Sequence, residues 1–206
     1  MQFGVFTVGD VTPDPTTGGT PTEHERIKAM IRLATKAEEI GLDVFATGEH
    51  HNPPFVPSSP TTMLGRFEHY GHGSADQAIV GLGGQVFMRP KSQDAVNEFR
   101  PYFDNAPVYG HGPSLEEFTE TTPLTVGSPE QVIEKTLTFR EHFGDYQRQL
   151  FLVDHAGLPL KTVLEQMDML GEIVPVLRRE LDAKRPSHVP DGPTHASLLA
   201  AARVPA

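Results

Sequence analysis

Residues 36–51 read "KAEEIGLDVFATGEHH". The first five residues look like the last turn of a helix, and Gly41 is a natural C-terminal cap. Residues 43–47 then read as a short strand, and Glu49, His50 and His51 fall directly after it. In parallel α/β folds the chemistry collects at the C-terminal ends of strands. A histidine placed there can take or give a proton near neutral pH, and a neighbouring glutamate can fix its tautomer. The competing reading is structural, with the three residues capping a following helix or pairing with loop charges. A metal site fits less well, because adjacent ligands at a strand end point to opposite sides and the helical His-Glu-x-x-His spacing is absent.

Working outward from this stretch, residues 2–8, "QFGVFTV", read as a buried strand, and a loop rich in Gly, Pro and Asp follows. Thr22 and Glu25 have the spacing of a capping box, and Ile27, Met30, Ile31, Ala34 and Ala37 recur at helical period as the expected apolar stripe. The first 48 residues therefore read β–loop–α–β, a parallel crossover.

Composition bounds the function. The 206 residues suit one domain or a small pair. A formal net charge of −10, with no Lys/Arg block, argues against a nucleic-acid or anionic-membrane surface. The absence of Cys excludes disulfides, thiolate catalysis and Cys-based zinc sites. The opening "MQFGVFTVGD" lacks the form of a signal peptide, and no apolar run reaches the roughly 18 residues of a membrane span, so a cytoplasmic location is the default expectation.

Beyond the histidines the pattern is interrupted. "SSPTTMLG" looks like the opening of a helix, but "RFEHYGHGSAD" reads like the exit of another, with the junction near Gly65–Arg66. Residues 77–88 form a strand pattern. Its "GLGG" (81–84) is a weak dinucleotide signal, since no helix opens after it, and suits room for a close backbone or ligand. A short helix is expected from Ser92, broken before Pro101, followed mostly by loop with a helical turn at Leu115–Phe118.

Ser128, Pro129 and Gln131 open a well-punctuated helix that Gly144 ends. A buried strand (147–153) then runs into Asp154 and His155, a pair whose structural role in the turn outweighs a catalytic or metal-binding one. Leu160, Val163, Leu164, Met167, Leu170, Val174 and Leu177 make the apolar stripe of the strongest helix, with Pro175 a candidate kink. Residues 182–206 read as a disordered, Pro-rich tail in which "ASLLAAA" allows a helical turn.

Together, "MQFGVF", "KAEEIGLDVFATGEHH" and "TVGSPEQVIEKTLTFRE" resemble the luciferase-like monooxygenase family. The resemblance extends over about residues 1–65 and 76–181. It implies an α/β fold of the TIM (β/α) barrel type and an oxidoreductase using FMN, or deazaflavin F420, with molecular oxygen and a small organic substrate. It implies that Phe6 lies under the flavin ring, that Glu49 and His50 face the ring with His50 as acid/base, and that His51 stands behind them. Only four strands are legible, near residues 2–8, 43–47, 77–88 and 147–153; by motif they look like strands 1, 2, 7 and 8 of the family barrel, which would stand side by side in the order 7-8-1-2. The expectation is an incomplete barrel over residues 1–181. Its open parallel arc has lost the middle units, and with them part of the flavin pocket on which the family's activity depends. Open edges of that kind imply a homo-oligomer or association with a full-length homologue, and a non-catalytic remnant is the rival reading.

Overall fold

The computed structural model describes residues 1–47, 81–106, 109, 112–183 and 192–202. Strands β1 (Gln2–Thr7), β2 (Val44–Thr47), β3 (Gly81–Met88), β4 (Thr125–Gly127) and β5 (Arg148–Leu152) form one open sheet in the order β2-β1-β5-β3-β4. Every pairing is parallel. The arc β3-β5-β1-β2 has the order expected from the sequence, and among the described residues the sheet does not close. What the sequence reading lacked is β4, three buried residues in a Thr- and Pro-rich run that pair with Val86–Met88 at the edge.

The helices are α1 (Glu23–Glu39), α2 (Ser92–Asn105), α3 (Leu115–Thr121), α4 (Pro129–Phe143), α5 (Leu160–Ala183) and α6 (His195–Ala202). Three begin with a complete capping box: Thr22 with Glu25, Ser114 with Glu117, and Ser128 with Gln131.

Right-handed crossovers fix the side of the sheet each helix takes. The connections β1 to β2 and β4 to β5 run toward one edge, and β3 to β4 runs toward the other. Hence α1 and α4 share one face with α5, and α2 lies on the opposite face. Side chains agree. Phe3, Val5 and Phe151 are buried on the first face, where the Arg178 guanidinium of α5 sits 5.1 Å from the Phe3 ring centre. Phe87, one residue out of phase with Val86 and Met88, stacks on Phe99 of α2 at 5.1 Å on the second. There Phe99 and Phe103 of α2, Phe118 of α3 and Tyr109 between the two helices build an aromatic core. Over β5, β1 and β2 that same face is half-exposed, through Leu150, Leu152, Phe6, Val44 and Ala46.

Four expectations change. The buried stripe of α1 is Arg26, Ala29, Leu33 and Ala37, whereas Ile27 and Ile31 are 59% and 61% exposed. Helix α2 does not break before Pro101 but runs on to Asn105, because Tyr102 and Phe103 bury their rings in its last turn. The 104–123 stretch contains a true helix, α3, rather than a single turn. The C-terminal segment is placed over residues 192–202: Gln2 Nε2 donates to the Pro193 carbonyl at 2.6 Å, and the backbone N–H of His195 donates to Asp43 Oδ1 at 2.6 Å. The junction near 65/66 lies outside the described residues, as do residues 77–80 of the expected third strand.

The "GLGG" reading gains a cause at one position. A Cβ on Gly84 would lie 3.1 Å from the Pro123 carbonyl oxygen, so the chain entering β4 passes close over β3.

Candidate functional site

Glu49, His50 and His51 lie outside the described residues. What the structure supplies is the strand that leads to them and the groups beside it. β2 runs to Thr47, in register with Thr7 at the end of β1. Phe6 pairs with Ala46 and is half-buried on the open face, opposite α1 and α5.

At the C-terminal ends of β1 and β5 a polar cluster is built that sequence reasoning missed. Thr7 Oγ1 donates to Asp154 Oδ2 at 2.8 Å, and Arg26 Nη1 donates to Asp154 Oδ1 at 2.5 Å. Arg26 Nε donates to the Asp10 carbonyl at 2.8 Å, and Nη2 lies 3.5 Å from Asp10 Oδ1. One guanidinium from α1 thus ties the loop after β1 to the loop after β5. Both partners are buried, and the pair is tolerable because each Asp154 oxygen has a donor. No local signal marks Arg26, since its partner is 128 residues away.

His155 sits beside this pair, buried, with its ring edge-on to Phe99 at 5.4 Å. Its Nε2 lies 3.5 Å from the Val86 carbonyl, which can only accept, so Nε2 carries the proton. Nδ1 then accepts from the Tyr109 hydroxyl at 2.7 Å. Burial pushes the His155 pKa down to about 4, against the opposing pull of the Val86 carbonyl, Asp154 and Asp10. Burial also raises the Tyr109 phenol, and the charge on Asp10 adds to that. Both ring nitrogens face partners and the ring is buried, which agrees with the structural reading of Asp154–His155. No cluster of metal-binding side chains occurs among the described residues.

The turn after His155 is tightly specified. Ala156 and Gly157 both take positive φ, 59° and 79°, and a Cβ on Gly157 would lie 2.3 Å from the Pro13 carbonyl oxygen. The two loops are therefore in backbone contact. Between them, α1 and the start of α5 lies a cleft of about 520 Å³.

On the open face the fit for a flavin can be judged from the residues present. Phe6, Leu150 and Leu152 offer apolar surface, and beside Leu150 a Cβ on Gly83 would meet nothing nearer than 4.0 Å. A flat ring fits that surface. Arg148, the cation of the described strands on that face, donates to Gln2 Oε1 through Nε and Nη2 at 2.8–2.9 Å.

Comparison with known proteins bears on this edge of the sheet. The model of the luciferase-like monooxygenase family matches residues 1–67, the span that holds β1, α1, β2 and the Glu-His-His sequence. The match ends within two residues of Gly65–Arg66. No curated protein matches the chain. Among solved structures, monooxygenase RslO1 from Streptomyces bottropensis is similar at 14% identity and a TM-score of 0.42, over 85% of this chain. This chain spans about half, 48%, of the length of that one. Among the described residues, no helix is long and apolar enough to cross a membrane.

Proposed function

We propose that the chain is a luciferase-like, flavin-dependent oxidoreductase homologue in which the flavin ring lies on the open sheet face against Phe6, with Glu49 and His50 at its edge. The family match over residues 1–67 carries this reading, because it includes the stretch in which Glu49 and His50 follow a strand. When bound, a reduced flavin supplies the oxidation by molecular oxygen, and FMN is the preferred form over deazaflavin F420. The chain's own tasks are then narrow. Phe6 and its apolar neighbours would support the ring, His50 would hold or move a proton at the substrate, Glu49 would set its tautomer, and His51 would support both. Low turnover is expected, since a five-stranded open sheet leaves the ring less shielded from water than a closed barrel does.

Flavin titration tests the proposal. FMN or F420 should bind with a dissociation constant below about 1 mM, weakened by Phe6→Ala and His50→Ala. Loss of binding by both flavins at that concentration sinks it.

A second reading, a non-catalytic remnant that works by association, is favoured by the exposed Ile27 and Ile31 and by β2, beyond which no strand lies among the described residues. It expects a second copy, or a full-length homologue, to pair there. Light scattering that shows a monomer at all concentrations, together with failure to co-purify with such a homologue, excludes it.

A further inference from the structure

We infer that the cleft between α1 and α5 binds a small organic carboxylate with an apolar body. The cleft lies on the helix-covered side of the sheet, opposite the face that carries Phe6, so the inference is independent of any flavin. Its volume of about 520 Å³ falls within the range of small-molecule sites. Ala29, Leu33, Leu158 and Val163 supply an apolar floor, all of them buried.

Four carboxylates and three cations line the cleft, and they differ in their partners. Each carboxylate that lines it already has donors. Asp154 holds Arg26 and Thr7, Asp10 accepts from Thr12, Asp14 accepts from Thr16 and Thr17, and Glu25 accepts from Thr22. Lys28 and Arg32 also line the cleft, yet make no ion pair or hydrogen bond with another described residue. They stand one helical turn apart, on the flank of α1 that turns toward α5, about 5–6 Å between their Cβ atoms. That spacing suits one carboxylate bridged by an ammonium and a guanidinium. An apolar floor with two unspent cations at the rim selects an anion whose body is greasy. A neutral lipid-like molecule would leave the cations without a partner, and a bare inorganic anion would leave the floor wet.

Amide-resolved NMR titration with octanoate, against octan-1-ol as the uncharged control, tests this on the full chain. Octanoate should shift amides of residues 28–33 and 157–163 and bind about tenfold or more tightly than octan-1-ol. The double variant Lys28→Gln/Arg32→Gln changes only exposed side chains and should melt as the parent does. It should lose about tenfold in octanoate affinity and none for octan-1-ol. Equal affinity for the two probes, shifts scattered away from the cleft, or unchanged octanoate binding by the double variant would each overturn the assignment.

Discussion

Arg26 occupies a position on α1 that helical periodicity reserves for an apolar residue, and its burial is conditional on Asp154. Removing one partner leaves the other charged and buried. Arg26→Met alone should therefore cost roughly 3–5 kcal/mol in urea unfolding, whereas Arg26→Met combined with Asp154→Leu should recover a substantial part of that loss. If the single and double variants are equally unstable, the pair is not what anchors the two loops.

His155 makes a second residue-level prediction. Its folded pKa of about 4 lies below the unfolded value near 6.5, so the folded state binds fewer protons between those limits. Stability from this group is complete above about pH 6.5 and falls as pH drops toward 4, by about 2 kcal/mol between pH 7 and 5. Phe99, Tyr109, the Val86 carbonyl, Asp154 and Asp10 all face or surround the ring; a protonated Nδ1 would donate, so the Tyr109 hydroxyl would have to reverse to accept from it. Denaturant unfolding at the two pH values should show that drop in the parent and not in His155→Gln; the same drop in both would assign it elsewhere. The structural role of His155 was legible from its place after a strand, but the partners of neither residue were, because they lie far along the chain. Ser128 with Gln131 and Thr22 with Glu25 were legible, because a capping box is written within four residues.

At the scale of elements, α1 shows why periodicity alone gave the wrong stripe. Two apolar rows run along it. Ala29, Leu33 and Ala37 face the sheet, while Ile27 and Ile31 turn away from α5, the side where Lys36 pairs with Asp168. A count of large aliphatic residues favours the second row, but the small residues of the first are what let α1 pack closely. Helix α2 shows the opposite conflict. Pro101 removes a backbone donor inside the helix, and the helix persists because Phe99, Tyr102 and Phe103 are buried together. Tertiary burial outweighs a local breaker here. Pro101→Ala should then stabilise the protein by roughly 1–3 kcal/mol in thermal or urea unfolding. Destabilisation instead would mean that the proline ring is itself part of the packing.

For the whole molecule, strand order was legible through the resemblance of the two motif-bearing ends of the chain to a closed barrel, in which the last strand lies beside the first. The two-sided packing was not legible, since it follows from β4, whose three residues carry no periodicity. The result is a sheet sheltered by α2 and α3 at one end and ending, at the other, in β2 with no described strand beyond it. On that flank α1 presents Ile27 and Ile31, and α6, tied to Glu38 through His195 at 2.8 Å, presents exposed Leu198 and Leu199. Pairing two copies about a two-fold axis at β2 would bring these patches together, giving unpaired edge amides and apolar side chains the same partner. The parent protein should therefore show concentration-dependent dimerisation in light scattering. Ile27→Lys combined with Ile31→Lys should weaken it by about tenfold or more, with little change in melting because both positions are exposed. A dimer indifferent to the double variant would place the contact elsewhere, and a parent that stays monomeric would leave this flank without the partner that its two isoleucines imply.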